Sequence, residues 1–70
     1  MNNFRSKVLE ELAKCKTMLS VARVAELLDE SDDSVYRRVK RGTIPHVRFG
    51  MTIKIDPQEL AAWISEHHIG

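Results

Sequence analysis

The sequence is poor in the residues that carry much protein chemistry. It has one cysteine, Cys15, two prolines, three glycines and four aromatic residues. One thiol excludes an internal disulfide, and no Cys/His set has zinc-binding spacing. The adjacent histidines His67 and His68 would point about 100° apart on a helix, which suits a helix end better than a metal site. No apolar run approaches the roughly 20 residues of a membrane-spanning helix, and no secretory leader is visible. A soluble, cytoplasmic chain is therefore expected, with no membrane partner. There is no glycine-rich phosphate loop and no nucleophile–base–acid set, so neither an enzyme nor a cofactor is expected.

What remains is a chain of 70 residues, 43% of them hydrophobic. That is one small globular domain with little core to spare. The net charge of +1 says little, but its distribution is uneven. From Glu26 to Asp33 there are five acids and no base; from Ser34 to Ile55 there are six bases and no acid. A basic window of this kind is the footprint of a polyanion-binding face.

The basic window opens on Ser31-Asp32-Asp33-Ser34-Val35-Tyr36-Arg37-Arg38-Val39-Lys40-Arg41-Gly42. This stretch reads as a helix with both ends marked. Ser31 is an N-cap, Asp32 and Asp33 suit the positive end of the helix dipole, and Lys40 and Arg41 suit the negative end. Gly42 can take the left-handed conformation that stops a helix. Val35 and Val39 form a narrow apolar stripe. Asp33, Arg37, Lys40 and Arg41 lie roughly opposite, with Ser34 and Arg38 on the flank.

Upstream, residues 2 to about 16 have helical periodicity. Phe4, Val8, Leu12 and Cys15 form a stripe with Leu9 at its edge, and Glu10–Lys14 is a favourable i,i+4 pair. Ser20 caps a second short helix, 21 to 28, with Val21, Val24, Ala25 and Leu28 on one face. Asp29-Glu30 connects it to the basic helix, giving a helix-turn-helix pattern. Downstream, Ile44 is placed to fold back on the helix end, and Pro45 prevents the helix from resuming. Residues 46 to 55 alternate as a hairpin. Matching Val47 and Phe49 with Ile55 and Ile53 predicts a three-residue loop, Gly50-Met51-Thr52, with Arg48 across from Lys54. Asp56-Pro57-Gln58-Glu59 opens a last helix, with Leu60, Trp63 and Ile64 on one face, His67 continuing it, and Trp63 as its core anchor.

These pieces, in order, carry a resemblance. Leu19-Ser20-Val21 with Val24-Ala25-Glu26-Leu27-Leu28, then Ser34-Val35-Tyr36-Arg37, Arg41-Gly42-Thr43-Ile44-Pro45, Val47-Arg48-Phe49-Gly50 and Leu60-Ala61-Ala62-Trp63-Ile64 resemble the excisionase-like helix-turn-helix family, a minimal branch of the MerR-like winged-helix group. The resemblance implies an α+β, mostly helical fold. It is a winged helix-turn-helix with a two-stranded hairpin wing over residues 18–70, preceded here by an N-terminal helical extension over 1–17. It further implies binding to double-stranded DNA, with the second helix in the major groove and the wing on neighbouring DNA. Family members act as recombination directionality factors beside an integrase or recombinase, or as small transcription regulators. The longer dimerisation helix of full-length MerR-type regulators has no counterpart. The expectation is a monomer in solution that can act cooperatively on DNA. The chain departs from the family in its turn, where Asp29, Glu30, Asp32 and Asp33 replace the usual glycine, apolar and basic or small polar residues.

The expected DNA-binding residues divide by position. Ser34, Arg37 and Arg41 face the groove, where arginine can bond to guanine O6 and N7. Tyr36, Arg38 and Lys40 flank it or reach phosphates. Arg48, Thr52 and Lys54 lie on the wing with Met51 at its tip, and His46 stands beside them. A competing expectation is a protein-interaction module that contacts an integrase through the acidic turn and the N-terminal helix.

Overall fold

A computed structural model of the chain describes residues 3–67. The order is α1 (Asn3–Lys14), β1 (Leu19–Ser20), α2 (Val21–Leu28), α3 (Asp32–Arg41), β2 (Val47–Phe49), β3 (Thr52–Ile55) and α4 (Pro57–His67). The winged helix-turn-helix is present, with helices α2 and α3 at its centre. His68 and the His67 side chain lie outside what is described.

The helix ends obey the capping signals. Ser20 and Ser31 both sit in extended backbone, and their hydroxyls accept from the amides of Arg23 and Ser34. Gly42 is left-handed at φ 73°, with its amide bonded to the Val39 carbonyl and the Thr43 amide to the Arg38 carbonyl. This pair of bonds satisfies carbonyls that the helix leaves open. The end of α2 repeats the arrangement without glycine. Asp29 takes φ 56°, its amide bonds to the Glu26 carbonyl, and the Glu30 amide bonds to Ala25. Aspartate tolerates this conformation better than most residues, yet its charge faces the negative end of the α2 dipole. Asp56 starts α4, its carboxylate accepting from the Gln58 amide at 2.8 Å.

One core gathers every element except β2. It takes Val8 and Leu12 from α1, Leu19 from β1, five residues of α2, Val35 and Val39 from α3, Ile44 from the segment after α3, Ile53 and Ile55 from β3, and Leu60 and Ile64 from α4. The N-terminal helix thus docks on the domain, packing against α4. Lys14 contacts Glu11 at 3.8 Å rather than forming the expected pair with Glu10; Glu11 also meets Arg23 of α2 at 3.8 Å, so it is drawn between two cations. Trp63 is only half-buried, at the rim of the core, where Nε1 donates to the Thr43 carbonyl at 2.6 Å. Its anchoring is as much polar as apolar.

The wing corrects the sequence reading in two ways. The sheet has three strands, in the order β1-β3-β2. Its hairpin also closes on a two-residue turn, with Phe49 opposite Thr52, Arg48 opposite Ile53 and Val47 opposite Lys54. Gly50 is at φ 61° and Met51 has negative φ, the sign pattern of a two-residue turn led by glycine. The expected three-residue loop assumed that Val47 and Phe49 share the buried face of Ile53 and Ile55. Instead β1 lies on the far side of β3, placing Leu19 beside Ile55 on the core face. Strand β2 is left as an edge, and Val47 and Phe49 are 37% and 58% exposed. A slip of one residue moves every side chain of a strand to the other face, so Arg48 and Lys54 are not opposed.

The two left-handed helix stops give a paired test. Replacing Asp29 with glycine removes the φ penalty and the adverse charge, and should raise stability by about 1 kcal/mol, or about 4–8 °C in Tm. Gly42→Ala should lower it by about 1–2 kcal/mol; a Cβ there meets nothing within 4 Å, so the loss is conformational rather than steric. Thermal unfolding of both variants measures this, and a destabilised Asp29→Gly would refute the account of the turn.

Candidate nucleic-acid interface

Helix α3 is seated through only two fully apolar contacts, Val35 and Val39. That narrow stripe leaves the rest of its surface for polar work. Tyr36, Arg37, Lys40 and Arg41 are exposed, and Ser34 and Arg38 are half-buried at the flank. The wheel drawn from the sequence therefore describes the real helix.

The cations divide into two groups by their partners. Arg38 makes a two-pronged ion pair with Glu30, Nη1 to Oε1 at 2.8 Å and Nη2 to Oε2 at 2.9 Å. Its guanidinium also lies 5.7 Å from the Trp63 ring centroid. Lys14 and Arg23 are engaged with Glu11 and Glu26. Among the described residues, no acid lies within salt-bridge distance of Arg37, Lys40, Arg41, Arg48 or Lys54. The free positive charge of the chain's middle is thus concentrated on α3 and the wing. Arg38, expected to flank the groove or reach a phosphate, is half-buried with two guanidinium nitrogens bonded to Glu30.

The turn acids separate in the same way. Glu30 is neutralised by Arg38 and serves the fold, so it does not oppose a polyanion. Asp29, Asp32 and Asp33 are exposed. Nothing in the spacing of Glu30 and Arg38, eight residues apart across the turn, signals their contact; it follows from the angle between α2 and α3.

The wing residues divide by sheet face. Arg48 shares the side of Ile53 and leans toward α3, where Tyr36, Val39, Lys40, Arg48, Met51 and Ile53 line one cleft. Thr52 and Lys54 lie on the opposite face, Lys54 flanked by Ser20 and Val47. His46 is turned inward enough for Nδ1 to donate to the Ile44 carbonyl at 2.9 Å. The structure thus brings Tyr36, Lys40 and Arg48 together, leaves Arg37 and Arg41 on the adjoining face of α3, and sets Thr52 and Lys54 apart. Among the described residues, no cluster of three His, Cys, Asp or Glu side chains is placed to hold a metal ion, and no helix is long and apolar enough to cross a membrane.

A family model described as a helix-turn-helix domain matches residues 18–68. The chain belongs to this helix-turn-helix family, in its excisionase-like form. No curated protein and no solved structure matches it. The matched segment begins just before β1 and includes the capped helices, the wing and α4, leaving α1 outside. Membership makes the helix-turn-helix a DNA-binding module, with α3 in the place of the recognition helix.

The two kinds of arginine on α3 should respond differently to truncation. Arg37→Ala should alter stability by less than about 0.5 kcal/mol, as expected of an exposed side chain. Arg38→Ala and Glu30→Ala should each cost about 1–3 kcal/mol, and a double-mutant cycle should show coupling of about 1–2 kcal/mol. Urea unfolding of the four proteins measures it, and additive losses at Arg38 and Glu30 would contradict the ion pair.

Proposed function

We propose that this chain is a sequence-specific DNA-binding protein that acts as an excision factor, directing an integrase or recombinase toward removal of a prophage or mobile element. The observation that carries the DNA-binding part is the set of cations on α3 and the wing that meet no acid among the described residues, whereas the other middle-segment arginines, Arg23 and Arg38, are paired. The excision part rests on the family branch that the sequence resembles.

In this reading α3 enters the major groove. Arg37 and Arg41, one helical turn apart, reach base edges, and Ser34 stands near the entry of the helix. Phosphates are met by Lys40 and by the wing. The chain performs no covalent chemistry and needs no cofactor; its effect comes from occupying and shaping a site that a recombinase also uses. A transcription regulator would use the same contacts and differ only in the neighbouring site that it occupies.

Selection from random duplexes followed by a salt titration tests the reading. Affinity should fall steeply with salt, and Arg37→Ala should weaken the selected site by about 5- to 150-fold while changing random DNA less. Absence of any complex at low salt would defeat the proposal. Adding the protein to an integrase reaction on a substrate carrying the selected site then separates the two roles: excision supports the first, and binding without excision supports the regulator.

A further inference from the structure

The hairpin register creates a feature that the sequence pattern concealed. With Arg48 across from Ile53, its side chain leaves the wing on the side of α3. There it lines one cleft with Lys40 and Tyr36, which are i,i+4 neighbours on that helix, over a floor of Val39 and Ile53. Both floor residues are buried, and Met51 at the turn is 98% exposed at the rim. Two positive side chains therefore converge on one cleft that contains no acid.

We propose that this cleft seats a single phosphodiester of the DNA backbone. Arg48 and Lys40 supply charge from its two walls, and the Tyr36 hydroxyl supplies a further donor. The inference rests on the DNA-binding reading and adds the point at which the duplex is locked in register. Three features favour an anionic oxygen here over a base. The cationic groups come from two different elements, so a ligand between them is gripped from both sides. The floor is formed by the apolar side chains of Val39 and Ile53, which offer the cations no competing acceptor. The lining carries no carboxylate or amide side chain that could take the donor pattern of a base amino group. The cleft adjoins the Arg37 and Arg41 face, so a backbone held in it would fix how far α3 enters the groove. Thr52 and Lys54, on the other face of the wing, take no part.

The test uses the full chain and a duplex carrying the selected site. Uncharged methylphosphonates replace single phosphates one at a time, and affinities are compared for the native chain, Arg48→Ala and Lys40→Ala. One position, or two adjacent ones, should weaken the native chain about tenfold and Arg48→Ala by less than threefold. Lys40→Ala should be blunted at the same position. The salt slope should fall by about one with either substitution. Thermal unfolding checks that both variants fold, and Arg48→Gln replaces Arg48→Ala if it does not. Arg48→Ala weakening every modified duplex by the same factor would overturn the phosphate seat while leaving DNA binding intact. No binding to any duplex would overturn both.

Discussion

The orientation of α3 depends on the grip of Arg38 on Glu30. Two valines are a thin apolar contact for a ten-residue helix, and apolar contact alone resists rotation poorly because it is not directional. The ion pair is directional. A planar guanidinium bonded through two nitrogens to both oxygens of one carboxylate fixes angle as well as distance. Glu30 belongs to the turn, so the pair ties α3 to the end of α2. Trp63 extends the tie to α4, lying against the guanidinium while its indole N–H holds the Thr43 carbonyl. Turn, recognition helix, its exit and the last helix are thus joined by one polar cluster around a half-buried arginine.

That cluster explains how an acidic turn is accommodated without losing the fold. Glycine is the easiest way to turn left-handed after α2, and Asp29 reaches the same backbone with the same two hydrogen bonds that Gly42 uses after α3. The strain is local and small beside what the neighbouring residue contributes. Glu30 supplies the carboxylate that makes Arg38 useful, and Arg38 in turn removes the charge that would otherwise face a polyanion.

The helices were legible in the sequence because their signals are local. Ser20, Ser31, Gly42 and the Asp56-Pro57 start each act within four residues, and the starts of α2 and α3 and the end of α3 follow from them. The faces of α3 were equally legible, since helical geometry alone separates Val35 and Val39 from Arg37 and Arg41. The wing register was not. Choosing between two- and three-residue loops required knowing which strand covers which, and β1, two residues long, carries no periodicity to announce itself. Once Leu19 pairs beside Ile55, β2 becomes an edge and need not bury its apolar side chains. The partner of Arg38 was hidden for a related reason: it lies across a turn whose angle is a tertiary property. Which basic residues are free to bind was therefore the part of the site that only the fold could decide.

The acidic opening of α3 takes on a different meaning beside the free cations. Asp33 precedes Arg37 by one helical turn, yet the two do not form a salt bridge among the described contacts. Under the proposed docking, both lie where a recognition helix meets base edges. A carboxylate there opposes any phosphate that comes close and is compensated only by a donor such as cytosine N4. Its effect falls on all DNA alike in the non-specific mode, which is held together by phosphate attraction, and is relieved only where the base sequence supplies that donor. A small domain gains discrimination in this way by weakening the wrong complexes more than the right one. In that docking Arg37 and Arg41, which meet no acid among the described residues, would supply attraction, Asp33 would restrict where it succeeds, and the Arg38–Glu30 pair holds both on one fixed helix.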